Sequence, residues 1–164
     1  MVRNRSWRIV AVAALVFALT VPAGVAQAAT LGRIVVNVGV KTARLGMGDT
    51  AAARRIGLRY RRLKDTNYAS TVYVYYFGKK SGGKYPIVMY SNKYRKVFIF
   101  QVNSSSYVTA KKVRVGTAAS VLRRVYGSAL KRGGSTNYYL KSGSNRTDFY
   151  LRSGRVSQIM ISRY

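Results

Sequence analysis

The apolar positions of this chain change period from one segment to the next. From Thr71 to Phe77 the run TVYVYYF consists of β-branched and aromatic residues and predicts a strand. Residues 85–102 and 147–164 each read as two apolar runs about a polar turn, Ser91-Asn92-Lys93 in one and Ser153-Gly154-Arg155 in the other. Both predict hairpins. Elsewhere the spacing is helical: Ala52 with Ile56, and Leu122 with Val125 and Tyr126. Gly57 and Gly127 follow these stripes, where a helix end favours positive φ. Gly48 or Asp49 can cap the first helix and Thr117 the second. Two short helices are expected, at 49–56 and 118–126.

These elements recur. Arg44-Leu45-Gly46 and Arg114-Val115-Gly116 lie 70 residues apart, and each precedes an Ala-containing stretch. That stretch ends in Arg54-Arg55-Ile56-Gly57 or Arg123-Arg124-Val125-Tyr126-Gly127, with the glycines 11 positions apart in both. The hairpin segments match without gaps at a spacing of 62, pairing Ile87 and Met89 with Phe149 and Leu151. The pattern predicts an α+β fold: two tandem repeats, about 38–104 and 105–164, each a short helix followed by an antiparallel hairpin or sheet. The helices should share one sheet face.

With its apolar-Gly-helix-Gly starts (Leu45-Gly46 to Gly57, Val115-Gly116 to Gly127) and closing hairpins, the chain resembles the β-lactamase-inhibitor-protein family from about residue 38 to 164. It is also similar to the small outer-membrane-assembly lipoproteins, which hold one such unit. The resemblance implies a secreted actinobacterial protein that binds a partner through its sheet. Members of the inhibitor family carry disulfides and mixed charge; this chain has no Cys and a formal charge of +27.

Charge narrows the chemistry. Thirty Lys and Arg face Asp49, Asp65 and Asp148, with no Glu, His or Cys. Paired carboxylates, histidine bases, thiol nucleophiles and His/Cys metal sites cannot be assembled from these residues. No catalytic residue, metal site or cofactor is expected, and an anionic partner is. Gly78…Gly83-Lys84 approaches a phosphate-binding loop, but Tyr85 stands where Ser or Thr is needed and Pro86 follows. It reads as a flexible basic hairpin loop.

The first 28 residues have the three parts of a secretory signal: Arg3, Arg5 and Arg8, then apolar Ile9–Leu19, then Ala26-Gln27-Ala28. An uncleaved anchor is the alternative. Cleavage leaves 29–164 as one mature domain, extracellular or wall-associated, with no membrane span and 27 cations against the three Asp.

Two surfaces are candidates for binding. Exposed basic residues Arg54, Arg55, Arg59, Arg61, Arg62, Lys79, Lys80 and Lys84 suit a polyanion. No nucleic-acid motif accompanies them. Strand alternation places Tyr73, Tyr75, Phe77, Tyr90, Phe98 and Phe100 on one face, with Val88, Val102, Tyr150, Met160 and Tyr164. Val72, Val74, Tyr76, Ile87, Met89, Val97 and Ile99 should then cover the helices. The aromatic face is a partner-binding surface, a homodimer interface, or a second core face under Leu31–Val40. The expected function is a secreted, non-enzymatic binding protein, an inhibitor of an acidic extracellular partner acting through the aromatic face. The alternative is a cationic wall- or polyanion-associated structural protein that binds by charge.

Overall fold

A computed structural model describes residues 32–66 and 70–164. The expected signal segment and cleavage site lie outside the described residues. In chain order the elements are β1 (Gly32–Val35), β2 (Gly39–Val40), β3 (Ala43–Arg44), α1 (Asp49–Ile56), β4 (Tyr60–Asp65), β5 (Val72–Phe77), β6 (Ile87–Ser91) and β7 (Val97–Val102). Then come β8 (Tyr107–Thr109), α2 (Ala119–Tyr126), a 3-10 turn (Gly127–Ala129), β9 (Lys131–Arg132), β10 (Asn137–Ser142), β11 (Asn145–Arg152) and β12 (Arg155–Arg163). The fold is α+β, mostly antiparallel sheet with two short helices. Among the described residues no helix is long and apolar enough to cross a membrane.

Eight strands form one sheet in the order β4-β5-β6-β7-β12-β11-β10-β9. β7 and β12 join its halves through the pairs Ile99–Ser162 to Val102–Ile159. The smaller sheet runs β3-β2-β1-β8, with β1 parallel to β8. One face of the large sheet packs on both helices and the small sheet. Ala52, Ala53 and Ile56 of α1, Leu122 of α2, and Ile34 and Val40 share one core with Phe77, Met89, Phe100, Phe149 and Ile159.

Both helices stand where the sequence places them. Gly57 closes α1 in the left-handed region (φ 67°) and gives its N–H to Ala53. The α2 N-cap is Ala118 rather than Thr117, whose hydroxyl accepts the Arg114 N–H instead. Each helix start is tied to a hairpin by the same links. Gly46 and Val97 exchange bonds with the loop as N–H of Gly46 to Val97 and N–H of Val97 to Met47. Gly116 gives its N–H to Val156, and Val156 gives its own to Thr117. Asp49 N–H then bonds Arg95, as Ala119 N–H bonds Gly154.

The hairpins differ in register from the ungapped spacing of 62. A bulge lies in β7, where Phe98 is the extra residue opposite Tyr90 and Ser91, and another lies in β12, where Ser157 is the extra residue opposite Tyr150 and Leu151. Matching the bulges puts the first strands 60 residues apart, and the links through Val97 and Val156 put the second strands 59 apart. The first turn is one residue longer, and Ser91 belongs to β6, paired with Val97. The exposed Tyr94 within that turn hides the difference from sequence alone. The loop after Gly78 closes through Ser81 and Lys84 about Gly82-Gly83, both at positive φ. No helix follows it before β6, as the hairpin-loop reading requires.

Candidate functional site

The sheet's two faces are the reverse of the expectation along β5. Tyr75, Phe77 and Phe100 are buried beneath the helices, and Tyr73 packs at the edge of the same core. Val72 and Val74 point to the other face, as do Tyr76, Tyr90 and Phe98. The six rings therefore do not form one exposed patch: only Tyr90 and Phe98 lie on the open side. Two causes are visible. Residues directly opposite across a ladder share a face, and Tyr75 opposes Met89 while Phe77 opposes Ile87. α1 also presents small Ala52 and Ala53 to the sheet, so large rings must fill the layer from below. In β7 the bulge leaves Phe98 unpaired, which reverses alternation and turns Ile99 out and Phe100 in. Residues 32–40 do not cover the open face either; Ile34 and Val40 lie in the helix-side core.

The open face reads as rows across the strands. One row runs Arg61, Tyr76, Val88, Gln101, Met160, Asp148, Tyr139, Lys131. The next runs Leu63, Val74, Tyr90, Ile99, Ser162, Arg146, Lys141. The β4–β7 half is apolar and aromatic. The β9–β12 half is polar, and cations stand at both ends. A groove of about 460 Å³ crosses the centre, lined by Ser70, Val72, Tyr90, Phe98, Ile99, Gln101 and Met160. Among the described residues, the apolar cluster on this face is built from the sheet itself and Tyr85.

In the polar half Asp148 is buried, its Oδ1 accepting from Asn137 Nδ2 at 2.8 Å and from Arg146 Nε at 2.9 Å. Arg146 lies 3.9 Å over the Tyr139 ring. Asp148 stands within β11, opposite Met160.

A second polar cluster lies under α1. Asp49, 2% exposed, accepts from the Tyr75 hydroxyl at 2.6 Å and from Ser91 Oγ at 2.9 Å on the same oxygen that Arg95 Nε approaches. Its other oxygen accepts the Thr50 N–H at 2.7 Å. Burial alone would raise this carboxyl; the hydrogen bonds from Arg95, Tyr75 and Ser91 and the charge of Arg95 outweigh it and hold the pKa at about 2. Burial, then the bond and charge of Asp49, raise the Tyr75 phenol. Arg95 also stacks on Tyr73 at 4.5 Å. At the α2 start the link of Ala119 to Gly154 carries neither a carboxylate nor a cation. Every charged member is engaged with another, and the cluster fastens α1 to the sheet. Sequence identified Asp49 only as a cap.

The eight basic candidates are all exposed. Arg59, Arg61 and Arg62 follow one another along β4 and its approach, and Gly78 gives its N–H to the Arg59 carbonyl at 2.9 Å. The loop bearing Lys79, Lys80 and Lys84 thus starts beside them. Arg61 shares the open face with Tyr76, whereas Arg62 lies opposite Tyr75 on the helix side. Arg54 and Arg55 belong to the last turn of α1, in the layer above.

No protein-family model matches the chain, and no curated protein matches it. Among solved structures it is similar to the crystal structure of the uncharacterized protein yfeY from Escherichia coli, at 17% identity and a TM-score of 0.49, over 78% of this chain and 95% of that one.

Proposed function

We propose that this chain is a secreted, non-enzymatic binding protein that receives an acidic protein partner on the open face of its large sheet. The observation that carries the reading is the apolar groove between Val72, Phe98 and Met160, set in a face with Arg61 at one end and Lys131 at the other. Apolar centres with charged rims are the usual anatomy of a protein interface. Secretion rests on the signal-like N-terminus, and the acidic nature of the partner on the formal charge of +27. The fold is read as two copies of one helix-and-hairpin unit, supported by the recurring links at Gly46 and Gly116 and by the bulges opposite Tyr90 and Tyr150. That reading agrees with the resemblance to the inhibitor family, which also binds through its sheet.

The test is capture from native culture fluid at low and high salt, using Phe98→Ala and Met160→Ala beside the unaltered protein. A captured acidic protein should stay bound in high salt and lose about 2 kcal/mol of affinity with Phe98→Ala. Retention that collapses with salt and ignores both substitutions would instead favour a wall polymer or other polyanion held by the exposed basic residues.

A further inference from the structure

The two ends of the large sheet are finished differently. β9 is two residues long and runs into Gly133-Gly134, a short edge that offers little to a new strand. β4 pairs with β5 over all six residues without a bulge and contains no Pro. It also carries two of the exposed large apolar side chains, Tyr60 (47%) and Leu63 (40%). It is the edge strand of the large sheet, beside β5. Cations dominate this edge: Arg62 and Lys64 stand together on the helix side, while Arg61 and Asp65 share the open side.

On the helix side the charges of this edge are cations alone, and that makes it selective. A second β4 laid antiparallel with Leu63 against Leu63 would set Arg62 against Lys64 on that side, and directly opposed like charges destabilise a strand pair. An acidic strand meets the reverse situation there, with attraction from Arg62 and Lys64 and the outer edge of β4 to pair with. We propose that β4 is a docking edge for an extended acidic segment of a partner, which adds to the large sheet as an outer strand. Glu or Asp of that segment lie beside Arg62 and Lys64, and an apolar residue lies beside Leu63. The proposal uses a different surface from the groove and stands without it.

The probe is a short synthetic peptide alternating Glu and Val, compared with the same peptide N-methylated along one edge. Charge is identical in the two; only main-chain pairing differs. At low ionic strength the first peptide should bind and slow hydrogen exchange at alternate amides within Tyr60–Asp65. N-methylation should weaken binding by about tenfold or more, as expected when two or more hydrogen bonds are lost. Phe98→Ala should leave both results unchanged, which separates this edge from the groove. Equal binding of the two peptides, binding without protection in β4, or no binding would overturn the proposal. So would β4 protection that rises with protein concentration without peptide, which would make a second copy the occupant.

Discussion

Asp49 shows how one carboxylate can be worth more inside than at a helix end. Its pKa falls from 3.8 to about 2 on folding, so the unfolded chain binds the proton more readily. The stabilisation is therefore complete above about pH 4, declines as pH falls towards 2, and is absent below. A shift of this size corresponds to about 2 kcal/mol, less where Arg95 is in water. Asp49→Asn should lower the stability near neutral pH by that order and flatten its pH dependence below about pH 4. Denaturant titrations of both proteins across that range measure the difference. Tyr75→Phe removes one donor to Asp49 and leaves the ring in place; a loss of about 1–2 kcal/mol is expected in the same assay.

At the scale of elements, the strand faces make a sharp contrast. Phe77→Ala and Phe100→Ala each empty a fully buried ring position and should cost about 3–5 kcal/mol. Phe98→Ala, on the open face, should cost much less. Thermal melts of the three variants check the assignment, and equal losses would contradict it. Both helices were legible because a helical stripe followed by Gly57 or Gly127 is a local signal. The hairpins were legible for the same reason. The facing of β5 was not: VYVYYF is apolar at every position, so alternation gives two answers and cannot choose. The choice came from the small residues of α1 and from the pairing with β6. The groove was half legible. Tyr90, Phe98 and Met160 were placed on the open side, but Ile99 was not, because the bulge that turns it outward leaves no mark in the sequence. The Asp49 cluster joins residues up to 46 positions apart and has no motif.

For the whole molecule, a formal charge of +27 with two ion pairs among the described residues means that repulsion acts against folding in dilute buffer. Added salt screens it, so the melting temperature should rise from low to moderate ionic strength. Calorimetry at several salt concentrations tests this, and a temperature that falls with salt would show that the two ion pairs outweigh the repulsion. The parallel pairing of β1 with β8 has a different consequence. Gly32 lies against Tyr107, so the first described strand closes on a segment made 75 positions later. A chain emerging from its N-terminus can complete the β4–β5 and β6–β7 hairpins early, yet the small sheet must wait. Closing so long a loop is slow, and no cysteine is present to hold an intermediate in place. The strand that begins at Gly32 should therefore be locked after the β4–β5 and β6–β7 hairpins, although it precedes both in the chain.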